Sequence, residues 1–174
     1  MQKVSIFWFR RDLRLEDNKG LSEALKSGEK AIPIFIFDQE ILNHLEDKYD
    51  RRVDYIHQAL EKINLELKES GSHLLIFHGK PLDIFKQLQK DYDIKSVYSN
   101  RDYEPSAIKR DEEIKKFLNS KKIDFLDFKD QVIFEKNEVA KDNGEPYTVY
   151  TPFSNKWKKL LTEKDYASVK IDKT

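Results

Sequence analysis

Residues Val4-Ser5-Ile6-Phe7-Trp8-Phe9 form a run that is apolar at every position but one. It breaks abruptly into Arg10-Arg11-Asp12-Leu13-Arg14-Leu15-Glu16-Asp17-Asn18. A continuous apolar run of strand length, closed by a charged turn, describes a strand covered on both faces, and such strands belong to parallel sheets. In an open parallel sheet, ligands collect outside the carboxyl ends of the strands. The turn therefore puts three arginines within five positions at a potential binding rim. They either meet an anionic or planar ligand or close local salt bridges with Asp12, Glu16 and Asp17.

The pattern repeats along the chain. Asp17 or Asn18 can cap a helix over roughly 19–26 whose inward positions are Leu21, Ala24 and Leu25, with Gly28 after it. Ala31 to Phe37 reads as a second buried strand closed by Asp38. Pro33 lacks a ladder donor, so this strand sits near an edge or begins after it. Val53, Ile56, Leu60, Ile63 and Leu67 recur at helical spacing up to Gly71. His73 to Phe77 is a third strand, Lys95 to Ser99 a fourth and Ile123 to Phe128 a fifth. Helices separate them at residues 82–88 and from 105 to 119. Strands alternating with helices at this spacing imply crossovers of one hand. The fold class is α/β: a Rossmann-like three-layer α/β/α arrangement with a five-stranded parallel sheet.

Beyond Asp130 the alternation stops. Gln131 to Phe134 reads as a strand or an irregular run, 141–146 as turn chemistry and 154–161 as a short helix. The expected organisation is an α/β domain over 1–130 and, over 131–174, the start of a connector towards something larger.

Composition narrows the chemistry. The chain of 174 residues is long enough to bury roughly 70% of its unfolded surface. It has 32 Lys+Arg against 32 Asp+Glu. A balanced charge argues against strong nucleic-acid binding by this piece alone. No cysteine is present, which removes disulfides, thiol catalysis and zinc–thiolate sites. No apolar run approaches a membrane span, and the first strand begins too early to leave room for a signal peptide. The expectation is a cytoplasmic monomer with no membrane contact. The five glycines all lie at residue 20 or later, so the first turn lacks the glycine spacing of a dinucleotide fingerprint. A phosphate loop ending in Gly-Lys-Ser/Thr and a Gly-x-Ser-x-Gly nucleophile turn are absent too. The four histidines lack metal-ligand spacing, and only His78 stands near a strand exit. No metal site and no catalytic residue is expected.

Asn100-Arg101-Asp102-Tyr103-Glu104-Pro105 leaves the fourth strand on the same rim as Arg10 and Arg11. These acids either start a helix, with Pro105 in its first turn, or face a ligand in the crevice. Both uses are compatible.

Together these stretches resemble the N-terminal α/β domain of the photolyase/cryptochrome family. The resemblance rests on Trp8-Phe9-Arg10-Arg11-Asp12-Leu13-Arg14-Leu15-x-Asp17-Asn18, Phe35-Ile36-Phe37-Asp38, Arg51-Arg52-Val53, Asn100 to Pro105 with Arg110-Asp111, and Pro146 to Phe153. It implies a deoxyribodipyrimidine photolyase, which repairs UV-induced cyclobutane dimers in DNA with light. FAD and the damaged DNA would be held by a helical domain that this chain lacks, so the fragment alone is inactive. Its own task would be to hold an antenna chromophore, with Arg10, Arg11, Phe35, Asp38, Arg52, Asn100, Asp102 and Glu104 at the matching positions. Phe35 would stack on the ring or meet its edge, Arg11 and Arg52 would take the ribityl or phosphate end, and Asp102 and Glu104 would touch the ring. Folate-antenna members carry an Asn-Glu pair where this chain reads Ser106-Ala107. A flavin or deazaflavin antenna is therefore favoured over methenyltetrahydrofolate. The alternatives are a cryptochrome photoreceptor, and a stand-alone nucleotide- or flavin-binding module of the universal-stress or electron-transfer-flavoprotein type.

Overall fold

A computed structural model describes residues 3–47 and 49–171. Its first strand, β1 (Lys3–Phe9), is buried at every position after Lys3. Alternate side chains enter two separate cores. Val4, Ile6 and Trp8 face one cluster, Phe7 and Phe9 the other. A strand that must satisfy two apolar layers has no place for a charge, which is why the arginines begin only where it ends.

Around β1 the chain winds β2 (Lys30–Asp38), β3 (Leu75–Gly79), β4 (Asp93–Asn100) and β5 (Asp124–Phe128). Every pairing is parallel and the order is β3-β2-β1-β4-β5. One face is covered by α1 (Lys19–Leu25) and α3 (Arg51–Glu69), through Leu21, Ala24, Leu60 and Ile63. The other is covered by α4 (Pro81–Asp91) and α5 (Pro105–Ser120), through Ile84, Phe85, Leu88, Ile114 and Leu118. The three-layer α/β/α fold read from the sequence is the fold observed. A four-residue helix, α2 (Gln39–Leu42), follows β2 directly.

Local expectations fare unevenly. Asn18, not Asp17, caps α1, its Oδ1 accepting from the Leu21 amide at 3.1 Å. Gly71 follows α3 with φ +72°, a conformation that costs glycine nothing. Pro33 does not push β2 to the edge, and β2 starts before it at Lys30. Pairing with β3 begins only at Ile34, so the segment holding Pro33 has a neighbour on one side alone. Beyond Asp130, residues 131–134 form no strand. A 3-10 turn (Lys136–Val139), α6 (Tyr150–Leu160) and α7 (Glu163–Tyr166) follow, α6 starting four residues earlier than its apolar spacing suggests. Phe134 packs edge-on against Trp157 of α6, ring centres 5.5 Å apart.

A buried polar knot ties the exits of β1 and β4 to the start of α1. The Asp12 carboxylate accepts from the Arg10 amide at 2.8 Å, from Asn18 Nδ2 at 3.2 Å and from Asn100 Nδ2 at 2.5 Å. Asn100 Nδ2 also donates to Asn18 Oδ1, and its own Oδ1 accepts from the Gly20 amide, both at 2.8 Å. A Cβ on Gly20 would stand 2.8 Å from Asn100 Oδ1 and 2.9 Å from Phe7, so only glycine lets helix and strand approach this closely. Asn100→Ala strips partners from three buried groups at once. It is expected to lower unfolding free energy by about 2–4 kcal/mol in urea titrations, whereas a loss below about 1 kcal/mol would mean the knot is not structural.

Candidate functional site

The carboxyl ends of β1, β2 and β4 open into one crevice of about 510 Å³. That is within the range of small-molecule sites, and it lies where parallel sheets bind ligands. Its two sides differ in chemistry. Phe37 from β2, Ile41 and Leu42 from α2, Leu45, and Val53 and Ile56 from α3 form an apolar wall, edged by Asp38, Glu40, His44 and Arg52 from the same stretch of chain. Arg10 and Arg11 after β1, Asp102 and Glu104 after β4, and Arg110 of α5 form a polar one.

Seven of the eight residues singled out from the sequence border this space: Arg10, Arg11, Phe35, Asp38, Arg52, Asp102 and Glu104. Asn100 does not. Its amide is consumed by the knot beneath the sheet exit, so its assignment to a ligand is corrected to a structural one. Arg10 borders the crevice with its head group committed inward. It donates to Asp111, Ser99 and the Asn100 carbonyl, and lies over the Trp8 ring at 5.1 Å. Phe35 is a core residue, edge-on to Phe37 at 4.9 Å, that offers the crevice only part of its ring. His78 lies outside the lining and His44 within it.

The choice between local salt bridges and a ligand for the three arginines has a third answer. None pairs with the carboxylate of Asp12, Glu16 or Asp17. Arg10 takes Asp111, Arg11 takes Glu104 and at 3.6 Å Asp102, and Arg14 takes Asp130 at 2.7 Å. All four carboxylates lie far along the chain, so the turn is fastened to β4, α5 and the segment after β5.

Arg110 is the site residue the sequence reading passed over, quoted only as part of a motif. It lies within a turn of Ser106 and Ala107 on α5, and all three border the crevice. Its guanidinium lies 4.9 Å over Trp8, bonds Asp111 at 3.1 Å and sits 3.8 Å from Asp38. Asp111 accepts Arg10 on one oxygen and Arg110 on the other. Helical spacing from Ser106 was the available signal.

The match to known proteins follows the same residues. The model of the DNA photolyase family matches residues 5–170. The chain belongs to the DNA photolyase family. It is 34% identical to the deoxyribodipyrimidine photo-lyase of a Synechococcus strain across 87% of this chain and 31% of that protein. Cryptochrome-1 of Anopheles gambiae is 30% identical across 86% of this chain and 29% of that protein. Among solved structures, the class III photolyase of Agrobacterium tumefaciens superposes with a TM-score of 0.85 at 27% identity, covering 100% of this chain and 35% of that one. The photolyase of Sulfolobus tokodaii, whose structure is described as containing two FAD molecules, gives 0.69 at 33% identity over 79% of this chain and 32% of that one. The chain thus spans about a third of the length of these photolyase relatives.

Within this photolyase-family crevice, the starts of α2 and α3 are capped by acids, whereas α5 begins at Glu104 with no side-chain cap. Asp38 Oδ1 accepts the Glu40 amide at 2.9 Å at the start of α2, and Asp50 Oδ1 the Arg52 amide at 2.8 Å at the start of α3. Asp102 Oδ1 accepts the Tyr103 amide at 2.8 Å just before α5. No helix among the described residues is long and apolar enough to cross a membrane, and among them no acidic or histidine cluster is arranged for a metal. The Arg52 guanidinium, then its amide, hold the Asp50 carboxyl down from 3.8 to about 2. Because the folded value is the lower one, its support for the start of α3 is complete above about pH 4. It is lost as pH falls towards about 2. Carboxyl chemical shifts should show Asp50 titrating near 2 in the native chain and nearer 3.8 in Arg52→Ala; equal midpoints would dissolve the pair.

Proposed function

We propose that this chain is the antenna part of a deoxyribodipyrimidine photolyase, and that its crevice holds a flavin- or deazaflavin-type dye. The observation that carries the reading is the two-sided crevice at the strand ends. A planar heterocycle with one apolar and one polar edge matches a wall of Ile41, Leu42, Val53 and Ile56 facing a rim of Arg11, Asp102 and Glu104. Such a dye, when bound, absorbs light and passes the excitation on. What the protein supplies is a fixed distance and orientation. The strand exits suit that task, because Arg10, Arg11 and Arg14 are each tied by ion pairs to elements distant in sequence.

The residue roles follow from this placement. Phe35 offers a ring edge from the floor, and Asp102 and Glu104 accept hydrogen bonds at the polar edge. Arg11 and Arg52, whose side chains are 55% and 76% exposed, would meet the polar tail. Ser106 and Ala107 also border the crevice and carry no amide or carboxylate to grip a pterin, which supports a flavin or deazaflavin over methenyltetrahydrofolate.

The rest of the activity belongs to the longer protein. We take 1–130 as the antenna domain and 131–174 as the start of the connector to a helical domain, which holds FAD and receives UV-damaged DNA. No side chain of this chain absorbs visible light to supply the electron that splits a dimer, so the isolated chain should leave dimers intact under illumination. A cryptochrome photoreceptor is the second reading, favoured by the cryptochrome-1 relatives and built on the same crevice.

Ile41 lines the apolar wall and is more than half exposed, so it can be changed without opening a core. Ile41→Asp is expected to weaken flavin binding about tenfold or more. The melting temperature should stay within about 2 °C of the parent. Unchanged flavin affinity would remove the crevice from the binding site, and failure of flavin, deazaflavin and reduced folate alike to bind the parent chain would refute the antenna reading.

A further inference from the structure

Arg14 and Asp17 belong to the turn after β1, yet neither borders the crevice. Among the described residues only Asp17, Lys122 and Lys136 have a positive φ without being glycine, and Asp17 stands at +48°. An aspartate in this left-handed region is uncommon and persists where its surroundings hold it there. Both ends of Asp17 are held. Its carbonyl accepts from Arg14 Nε at 3.1 Å and from Arg14 Nη2 at 2.6 Å. Its carboxylate accepts the amide of Val169 at 2.7 Å, across 152 residues of chain. The same Arg14 Nη2 also donates to Asp130 at 2.7 Å.

These contacts fasten two distant points of the chain to one short helix. Asp130 is the outgoing point. Its side chain is 4% exposed and accepts the Lys19 amide of α1 as well as Arg14. Residues 169–171 are the returning point. Val169 donates to Asp17, the Lys170 carbonyl accepts from the Ser22 hydroxyl at 3.3 Å, and Ile171 packs against the cluster that holds Leu21 and Ala24. Three successive residues thus offer an amide, a carbonyl and an apolar side chain to α1 and its cap. Between the two points, α6 and α7 contain no buried residue. Segments with few buried apolar contacts open at low free energy, so their position depends on what ties their ends.

We infer that Arg14 and Asp17 are positioning residues that clasp both ends of the 131–168 excursion to α1, and so fix the direction in which the chain leaves this domain. Their purpose rests on the antenna reading above, in which 131–174 leads to the domain that holds FAD and the span from dye to flavin has to be constant. Arg14 suits the task because a planar guanidinium reaches a carboxylate and a carbonyl at once, whereas an ammonium is a point charge. Asp17 suits it because its turn aims the carbonyl at Arg14 and leaves the carboxylate for Val169.

The chain has no cysteine, so two introduced at exposed positions, Lys116→Cys and Ala167→Cys, can carry spin labels alone. Dipolar spectroscopy should give one narrow distance distribution for this labelled parent. Asp17→Gly retains the left-handed backbone and deletes the acceptor. It should widen the distribution about twofold or more and speed exchange of the Val169 amide about tenfold or more. The melting temperature should stay within about 3 °C and flavin affinity within about twofold of the parent, because Asp17 lies outside the crevice. Asp17→Asn keeps an oxygen acceptor and tolerates the same conformation, so it should restore the narrow distribution. Ile171→Ala, which touches neither the sheet nor the Arg14 contacts, should widen it as Asp17→Gly does. A broad distribution in the parent, or an unchanged one in Asp17→Gly or Ile171→Ala, overturns the inference. A narrow distribution in a chain that binds no dye refutes the antenna reading and leaves the clasp in place.

Discussion

The buried knot of Asp12, Asn18 and Asn100 is the constraint on which the architecture turns. It sits between β1 and β4, where the strand order reverses and where the sheet would otherwise splay. A carboxylate that is 4% exposed is tolerated there because three N–H groups reach it, the Arg10 amide and two side-chain amides. Each member satisfies another, so a single deletion orphans several partners, and the low dielectric raises the cost of each. The knot sets the direction in which the chain leaves β1, and hence where the arginines lie.

The same knot determines which of the possible ligand positions is open. In dinucleotide-binding folds the start of the first helix faces the pyrophosphate. Here the protein fills that place itself. The Lys19 amide donates to Asp130 at 3.0 Å, the Gly20 amide to Asn100 and the Leu21 amide to Asn18. Asp130 also takes Arg14, so an internal carboxylate does the work of an anion and holds the segment after β5 against α1. The ligand space that remains is on the β2 side, under α2 and α3. That placement explains how the fold can share its layers with dinucleotide-binding proteins while lacking their glycines.

The five residues from Asn100 to Glu104 divide their work by alternation. Asn100 turns into the knot, Asp102 and Glu104 turn to the crevice, and Arg101 and Tyr103 turn the other way. Arg101 pairs with Asp127 and Glu135, and Tyr103 donates to Glu135, where burial and that carboxylate push its phenol up. Glu135 in turn caps the 3-10 turn that follows β5. One extended segment therefore joins the crevice to the chain beyond the sheet, because successive side chains of an extended strand point to opposite sides.

The primary structure by itself determined the layers. An uncharged six-residue run followed by a charged turn has to be a doubly covered strand, and helical spacing between such runs admits only parallel crossovers. It also placed the binding rim, since strand ends are marked by the residues that interrupt the apolar runs. What only the tertiary structure decided is which charge meets which. Arg10, Arg11 and Arg14 have acids one or two positions away, yet pair with partners about ninety to a hundred and sixteen residues distant. Asn100 and Arg10 look from their positions like ligand contacts and are held inside, while Arg110, unremarkable on its helix, reaches the crevice. Apolar periodicity is a local property that one strand or helix expresses alone. The partner of a polar head group depends on which strand ends the sheet order brings together, and no single segment carries that information.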